Sequence, residues 1–516
     1  MKLAIVAALL ASAVAVLGDG NTQQEWVALV SKHASLGSKI SAGALSEYTT
    51  TMKKAIRATG ADITSYHPEI GMATIIGPAQ SITSVKKMAD VVGVFRSVKR
   101  RFIPEADKLL GGAAGGRRLH EDHDTLVDAA RSAAARLLPA FKEPDYRPLQ
   151  WSRKAIGADR ALNAGLKGKG ATVAVLDTGF YLDHPAIKRY DQSLSYNFIV
   201  DEQLAFNYTL ANNPGDLDFS HGTHTASTVA GADLGGKGTI GVAPEANLVL
   251  VKVLSDMGFG YDPQVVGGIL YAVAAGVDII SMSLGSLSNV TGSPEDGYTA
   301  SDVSMWIQMY NRVFSFAHDR GVTVVVAGGN DAVQMDTQTD LFAFFAENKW
   351  TISVAATGPT FWAKDPKNAK LNGSSSYTNT GSAIDFSAPG GNNMAVNRTA
   401  GATQETCSYT LNTGVFSTSC YRFDYVLSAA LSKEALFSMP RYGIPTRYAF
   451  VAGTSMATPH VAGVAALIRG KKKGRISVDQ MKEYLKQCSY DLGDKGKDPI
   501  YGHGLISASK VVDLKF

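Results

Sequence analysis

The chain is poor in cysteine and carries little net charge. Its 516 residues include 3 cysteines, and its formal net charge is +4 at pH 7. Three cysteines are too few for a scaffold in which disulfides replace a hydrophobic core. So small a net charge gives no case for a nucleic-acid partner, because such partners are bound through clustered positive charge. The length and the 45% share of hydrophobic residues predict one large packed domain and a smaller one.

Long apolar runs are also scarce. The run from Leu3 to Leu17 follows the charged Lys2 and ends in small residues up to Gly18. This pattern is typical of a secretory signal peptide, and the run is short for a membrane anchor. No other uninterrupted apolar stretch reaches about 18 residues, so no transmembrane helix is predicted. We therefore expect a signal peptide over residues 1–18 and a secreted, extracellular protein that is not held in a membrane.

The motif Gly453-Thr454-Ser455-Met456-Ala457 precedes a run of small and apolar residues that extends to Ile468. A helix that is apolar on most of its faces is a core helix. A serine at its N-terminus lies beside free backbone N–H groups and at the positive end of the helix dipole. Ser455 is therefore either a simple N-cap or a nucleophile whose surroundings stabilise negative charge.

Two further segments carry residue types that would activate a serine. Asp177 ends the valine-rich run 171–176, which is typical of a buried parallel strand, and active sites of α/β sheets lie at such carboxyl ends. His221 begins a run of small residues, and we prefer it to His224 because it stands at the mouth of the predicted helix. We expect His224 to be a packed or surface residue. The competing interpretation of Asp177 is a turn-forming aspartate.

A fourth candidate follows a second buried-strand pattern. The run 323–327 is rich in valine and is followed by Gly328-Gly329-Asn330. The amide of Asn330 can donate to an oxyanion together with the backbone N–H of Ser455, although an ordinary turn would also explain it. A serine needs a base, histidine titrates near neutral pH, and a buried carboxylate orients that histidine. Asp177, His221 and Ser455 are the residue types that this chemistry requires.

Together these motifs closely resemble the subtilisin-like serine proteases, over the region from about Gln150 to the C-terminus. The resemblance implies an α/β fold with a mostly parallel sheet and helices on both faces. The intervening pattern agrees, since strands are predicted over 248–254 and 277–284 and helices over 263–276 and 305–320. It also implies a catalytic triad of Asp177, His221 and Ser455, with Asn330 as an oxyanion donor.

Substrate-binding segments are implied by position in the same family. Ser283-Leu284-Gly285 resembles the segment that lines the pocket for the residue before the scissile bond. Gly258-Phe259-Gly260 resembles the segment that pairs with the other edge of an extended substrate, whose backbone would add as a strand. Plain strand-end and loop structure is the alternative for both. Phe259 is bulky for its place, and we expect it to narrow or flatten the distal pocket.

The chain departs from the family where bacterial relatives hold a structural calcium ion. The residue after His184-Pro185 is Ala186 rather than a carboxylate, and the glycine-rich loop 235–241 has no Asn or Asp. Calcium needs six or more oxygen ligands. We therefore expect no metal and no cofactor; a structural calcium is the alternative, but its usual ligands are not evident in the sequence.

The region before the catalytic domain is predicted to be a propeptide and linker over residues 19–145, with a compact part at about 48–100. Helices are predicted over 49–59 and 81–91, and strands over 72–76 and 92–98. This small α+β pattern resembles the inhibitory propeptide of the family.

A stretch rich in glycine and alanine, residues 111–116, indicates an exposed linker after the compact part. Arg117-Arg118 and Lys99-Arg100-Arg101 are both candidate processing sites. The mature N-terminus is expected between Leu119 and Gln150, so that the catalytic domain covers residues 146–516.

The catalytic domain contains a long insertion over about 391–450, which we expect at the surface near the nucleophile. We predict a disulfide between its two cysteines, Cys407 and Cys420, and an unpaired Cys488 in or near a packed helix. Sequons for N-glycosylation begin at four asparagines: Asn207, Asn289, Asn372 and Asn397.

The sequence therefore predicts a secreted serine endopeptidase, made as an autoinhibited preproenzyme and acting through an acyl-enzyme intermediate. Its expected partners are protein or peptide substrates and its own propeptide, and we expect a monomer. Two alternatives stay open. One is a secreted binding protein that has lost catalysis, and the other is a processing protease of narrow specificity. An acidic pocket would favour the latter, and none is evident in the sequence.

Overall fold

The structure is a computed structural model that describes residues 24–30, 42–103, 143–187, 189–206, 219–393, 405–412, 414–432 and 446–516. The predicted signal peptide, the linker with Arg117-Arg118, and the sequons at Asn207 and Asn397 lie outside these residues. Within the described ranges, no helix is both long and apolar enough to cross a bilayer.

The described elements fall into a short N-terminal series and a longer second series. The first consists of β1 (Glu25–Val30), α1 (Ala42–Ala58), β2 (Asp62–His67), β3 (Met72–Ile76), α2 (Ala79–Lys86), β4 (Val91–Arg96) and β5 (Arg100–Arg101). The first half of the second series consists of α3 (Trp151–Ile156), α4 (Ala158–Asn163), β6 (Thr172–Asp177), β7 (Tyr196–Asn197), α5 (His221–Ala230), β8 (Asn247–Lys252), β9 (Phe259–Gly260), α6 (Asp262–Ala275), β10 (Ile279–Met282), β11 (Leu287–Asn289), β12 (Gly292–Ser293) and β13 (Tyr298–Thr299).

The chain continues through α7 (Ala300–Asp319), β14 (Thr323–Ala327), β15 (Leu341–Ala343), β16 (Ile352–Gly358), β17 (Gly373–Ser374), β18 (Phe386–Pro389), β19 (Thr406–Leu411), β20 (Gly414–Ser419), β21 (Val426–Ser432), β22 (Thr446–Val451), α8 (Thr454–Lys471), α9 (Val478–Gln487), β23 (Ser489–Tyr490), β24 (Leu505–Ile506) and α10 (Ala508–Val511).

Residues 24–103, which we call the N-terminal unit, contain a sheet in the order β2-β3-β1-β4. The pairs β1–β3, β1–β4 and β2–β3 are antiparallel. Its small core includes Ile56 from α1, Ile75 from β3 and Val85 from α2. The sequence pattern suggested a start near residue 48, but the sheet includes β1 from Glu25. A six-residue apolar strand without alternation gives little periodic signal, which is why β1 was missed.

The second unit is built on a mostly parallel sheet with helices on both faces, as predicted. Its described strands run in the order β23-β24-β18-β16-β14-β10-β6-β8-β7. The neighbours β6, β8, β10, β14, β16 and β18 are paired in parallel. β14 is buried along its whole length, which explains its run of valines. The carboxyl ends of these strands therefore meet at one edge of the sheet.

Helix boundaries differ from the sequence expectation where caps decide them. α6 ends before Gly276, whose φ of 75° is the left-handed conformation that glycine adopts readily. α7 begins at Ala300, five residues before the predicted start. Thr299 and Asp302 form a capping box there, and this signal was overlooked.

The insertion over 391–450 is a surface feature only in part. β19 and β20 form a partly exposed hairpin, and the predicted disulfide joins Cys407 to Cys420 beside it. The prediction is wrong for β21 and β22, which pair with each other and pack in the core against α5. The Trp151 indole N–H donates to the carbonyl of Tyr425 at 2.9 Å, which ties this region to α3. Cys488 is free and buried at the end of α9.

Candidate active site

Asp177 and His221 form a buried hydrogen-bonded pair at the edge of the sheet. Asp177 is the last residue of β6, and His221 is the first residue of α5. The His221 Nδ1 and Asp177 Oδ1 atoms lie 2.7 Å apart, and both side chains are inaccessible to solvent. The carboxylate also accepts hydrogen bonds from the Thr178 N–H at 2.7 Å and the Thr225 hydroxyl at 2.9 Å. These two contacts fix the orientation of the Asp177 carboxylate toward His221.

The start of α5 reaches Asp177 because Gly222 has no side chain. A Cβ at Gly222 would lie 2.9 Å from both the carbonyl oxygen of Thr178 and the ring of Phe180. The Gly222 N–H donates instead to the Thr178 hydroxyl at 3.1 Å. The glycine after His221 therefore permits close approach between the helix and the loop that follows β6.

Ser455 is the second residue of α8 and is held on two sides by Ser283. The Ser455 hydroxyl donates to the carbonyl oxygen of Ser283 at 3.2 Å, and the Ser283 hydroxyl donates to the carbonyl oxygen of Ser455 at 2.7 Å. The second contact exists because Pro459 lies inside α8 and has no N–H to donate to the residue four positions earlier. The proline thus releases the Ser455 carbonyl from the helix, and Ser283 binds it.

Asn330 lies beside the N-terminus of α8 with its amide oriented by Thr454. Its Oδ1 atom accepts from the N–H and the hydroxyl of Thr454, each at 2.8 Å. Its Nδ2 atom is buried and has no hydrogen-bond partner among the residues that the structure describes. A buried amide donor without a partner is uncommon in native proteins. Such a donor is suited to an oxygen that enters the site from outside.

Two other buried histidines, His224 and His460, are held in the core with lowered pKa values. The His224 Nε2 atom lies 3.2 Å from the carbonyl oxygens of both Val426 and Ala449. Burial lowers the pKa of His224 to about 3, and it lowers the pKa of His460 to about 4. His224 is therefore a packed residue, which is one of the two places that the sequence analysis expected for it.

Residues 100–102 of the N-terminal unit occupy a peptide cleft between the two predicted substrate-binding segments. β5 pairs with β9 in antiparallel orientation, with Arg100 opposite Gly260 and Arg101 opposite Phe259. The Phe102 N–H donates to the carbonyl oxygen of Gly258 at 3.1 Å. The Gly285 N–H donates to the carbonyl oxygen of Phe102 at 2.8 Å. The cleft thus binds an extended chain through its main chain on both sides.

The remaining predicted residues of the cleft walls have different surroundings. Leu284 is fully buried in the core, and Ser283 contacts Ser455 as described above. The ring of Phe259 lies 5.5 Å from the guanidinium of Arg101 and 5.4 Å from the ammonium of Lys99. Phe259 therefore forms a face for basic side chains.

The N-terminal unit is also attached to α7. One guanidinium nitrogen of Arg312 donates to three carbonyl oxygens of that unit, those of Val30 at 2.9 Å, Ile70 at 3.1 Å and Gly71 at 3.2 Å. Nearby, the ring of Phe95 meets Trp306 edge-on at 6.4 Å. α7 thus provides a docking face for the sheet.

The glycine-rich loop 235–241 is bound by a buried arginine. The Arg153 guanidinium donates to the carbonyl oxygen of Gly241 at 2.6 Å and pairs with Asp159 at 2.7 Å. The Gln150 amide donates to the carbonyl oxygen of Ile240 at 3.2 Å. Because a guanidinium already lies against this loop, a second cation fits poorly there. Within the described ranges, no group of three or more His, Cys, Asp or Glu side chains could hold a metal ion.

Sequence reasoning missed the residues that orient the site residues and that bind the N-terminal unit. Thr225, Thr454 and Arg312 carry no motif of their own. Thr225 stands four residues after His221, so helical spacing could have placed it on the same face. Arg312 contacts residues more than 200 positions away, and no local pattern indicates such a contact.

Comparison with known proteins gives relatives for most of the chain. Residues 168–504 match the model of the Subtilase family, Peptidase_S8. Minor extracellular protease Epr of Bacillus subtilis (strain 168) is 28% identical over 388 residues, which cover 75% of this chain and 45% of that protein. Subtilisin-like protease 1 of Pseudogymnoascus destructans is 30% identical over 322 residues, which cover 62% of this chain and 56% of that protein. The chain thus spans about half the length of these two relatives.

A solved structure supports the fold over nearly the whole chain. The Epidermin Leader Peptide Processing Serine Protease (EpiP) of Staphylococcus aureus superposes with a TM-score of 0.63 at 18% identity. The superposition covers 96% of this chain and 99% of that one. At this identity the likeness shows the fold alone. The family model, by contrast, matches well over half of the sequence, and the chain therefore belongs to the Subtilase family of subtilisin-like serine proteases.

Proposed function

We propose that this chain is a serine endopeptidase that hydrolyses peptide bonds through Asp177, His221 and Ser455. The observation that carries the proposal is the buried 2.7 Å contact between Asp177 and His221. This pair lies at the same edge of the sheet as Ser455. α5, which begins at His221, and α8, which carries Ser455, pack against each other. The alternative of a binding protein without catalysis leaves this buried pair unexplained.

In this mechanism, Ser455 Oγ attacks the peptide carbonyl while His221 Nε2 accepts the hydroxyl proton. His221 then gives this proton to the leaving amine, and an acyl-enzyme remains. Water, deprotonated by the same nitrogen, releases the second product. Asp177 keeps the proton of His221 on Nδ1 and stabilises the imidazolium. While residues 100–102 occupy the cleft, the Ser455 hydroxyl donates to the carbonyl oxygen of Ser283.

The negative oxygen of the tetrahedral intermediate would be bound by the Asn330 amide and the Ser455 N–H. Asn330 suits this role because Thr454 occupies its carbonyl oxygen, and its buried NH₂ group makes no hydrogen bond to the described residues. A donor oriented in advance stabilises developing charge without reorganisation.

We further infer that the N-terminal unit is an inhibitory propeptide and that the enzyme is secreted as a monomeric precursor. Main-chain pairing in the cleft and the contacts of Arg312 support inhibition. The order of the predicted signal peptide, this unit and the catalytic domain supports secretion, as does the similarity to Minor extracellular protease Epr. The first processing cleavage would then follow soon after Ile103, which lies upstream of the linker.

Labelling with a fluorophosphonate probe tests the proposed nucleophile. We expect the active enzyme to gain one probe by intact mass, and we expect Ser455→Ala to gain none, because the hydroxyl is the attacking group. Ser408→Ala, which removes an exposed hydroxyl of the β19–β20 hairpin, is a control that retains Ser455 and should still be labelled. Failure of the mature, folded wild type to react would favour the binding-protein alternative.

Substitution of Asn330 tests the oxyanion site. We expect Asn330→Ala to lower kcat by about 10²- to 10³-fold, which is the loss measured for one such donor in a subtilisin rather than a value derived from this geometry. KM for a small peptide should change little, because the donor acts on the transition state. Asn368→Ala, which removes an exposed amide that bonds only to Asp365 among the described side-chain contacts, is the control. An unchanged kcat in Asn330→Ala would remove this residue from the mechanism.

Substitution of Arg312 tests the docking of the propeptide. We expect Arg312→Ala to raise the inhibition constant of added residues 24–103 by about ten-fold or more, because a charged donor to three carbonyls is lost. Arg475→Ala removes an arginine that contacts only the carbonyl of Arg320 among the described contacts, and it should leave this constant unchanged. Equal inhibition of both variants would contradict the docking role.

We also propose that the Arg153 guanidinium takes the place of a calcium ion at the loop 235–241. We expect the same midpoint of thermal unfolding in EDTA and in calcium chloride. If the protein bound calcium, a free calcium concentration of 100 times the Kd would add about 2.7 kcal/mol to the free energy of unfolding and would raise the midpoint. Arg153→Met should lower the midpoint more than Arg160→Met, because the Arg160 pair with Asp513 is exposed. A higher midpoint in calcium would overturn the proposal.

A further inference from the structure

Arg100 lies buried against a carboxylate in the wall of the peptide cleft. Its guanidinium pairs with Asp262, and the two side chains are only 9% and 0% exposed. The guanidinium also lies 4.2 Å from the ring centre of Trp306 and 5.4 Å from that of Phe344. An arginine enclosed by a carboxylate and aromatic faces is far more constrained than one in a surface ion pair.

The pocket around Arg100 is built mostly by the second unit, although the ring of Phe102 from the N-terminal unit also lies 5.3 Å from the Arg100 guanidinium. We call Asp262, Trp306, Tyr310 and Phe344 the arginine pocket. Asp262 is the first residue of α6, where the helix dipole favours negative charge. The Tyr310 hydroxyl donates to Asp262 Oδ1 at 2.5 Å. Asp262 Oδ2 is buried without a hydrogen-bond partner among the described residues.

Loss of the N-terminal unit would leave this carboxylate buried without its cation. Removing one partner of a buried ion pair is strongly destabilising, because the remaining charge is desolvated and uncompensated. A peptide that supplies another guanidinium at the same place would restore the pair. The pocket is therefore complementary to a substrate side chain as well as to the propeptide.

We propose that the arginine pocket is a specificity subsite for an arginine side chain on the amino-terminal side of the scissile bond. In the N-terminal unit, Arg100 lies two residues before Phe102, whose main chain bonds to both Gly258 and Gly285. The substrate arginine would occupy the position of Arg100. This inference rests on the proposed function, since it names the substrate class of the same cleft. It favours an enzyme of narrow specificity.

The pocket should distinguish arginine from lysine. The planar guanidinium stacks on Trp306 and donates to Asp262 at the same time, whereas an ammonium is a compact, strongly hydrated charge. No local sequence pattern predicts this site. Asp262 stands between Tyr261 and Pro263, a context that is typical of a helix start, and Arg100 lies 162 positions away.

Product-like peptides test the proposal on the active wild-type enzyme. The peptide Val-Lys-Arg-Arg-Phe-Ile, which corresponds to residues 98–103, is measured as a competitive inhibitor. We expect citrulline in place of Arg100 to raise the inhibition constant by about 10- to 100-fold, because the charged hydrogen bond is lost. The same change at Arg101, which stacks on Phe259, should raise it by only about two- to five-fold. Equal effects at the two positions would overturn the proposal.

A matched pair of variants assigns the preference to Asp262. The ratio of inhibition constants for the citrulline and arginine peptides should fall close to one in Asp262→Asn. It should keep its wild-type value in Asp296→Asn, which removes an exposed carboxylate from the lining of the neighbouring cavity. A wild-type ratio in Asp262→Asn would refute the subsite. Each ratio is taken within one enzyme, so differences in total activity cancel.

Thermal unfolding of the full chain tests the pair without any catalysis. In a Ser455→Ala background, Arg100→Met and Asp262→Asn are compared singly and together. We expect the double variant to lose much less than the sum of the single losses, because the two side chains interact. Additive losses would overturn the proposal whatever the activity. Absence of hydrolysis would fail the proposed function, whereas hydrolysis without an arginine preference would fail only the subsite.

Discussion

The site depends on the parallel pairing of β6, β10 and β14. Because neighbouring parallel strands bring their carboxyl ends to one edge, Asp177, Ser283 and Asn330 come together from distant parts of the chain. α5 and α8 both begin at this edge, and they add His221 and Ser455. A strand shifted by one residue would turn its side chains to the opposite face, so the sheet register also fixes the chemistry.

The N-terminal unit is bound to this edge by three kinds of contact. Main-chain pairing binds residues 100–102 regardless of their side chains. The Arg312 guanidinium donates hydrogen bonds to three carbonyl oxygens of the N-terminal unit. Arg100 fills the charged arginine pocket. The first contact suits any extended peptide, the second suits only this folded unit, and the third suits one side chain. General affinity, recognition of the unit and selectivity are thus carried by different residues.

The sequence was sufficient for those parts of the site that follow local patterns. Asp177 and Asn330 follow valine-rich strands, and Ser455 precedes an apolar helix, so their place at the sheet edge could be predicted. The core position of β21 and β22 could not, because their burial depends on packing against α5. The partners of Arg100, Arg153 and Arg312 were equally hidden, since a long basic side chain bonds to groups that only the fold brings near. Capping signals such as Thr299 with Asp302 were readable but overlooked.

Pro459 links substrate binding to the nucleophile. By leaving the Ser455 carbonyl without a helical donor, it makes that carbonyl a partner of Ser283, two residues before the Gly285 N–H that binds an extended chain. One short segment therefore bears on both the peptide and the reactive serine. A peptide that engages Gly285 would pair with the segment that also binds the carbonyl of the proposed nucleophile, whereas a shorter peptide would not reach that segment. The length of a substrate would then affect the chemical step as well as binding.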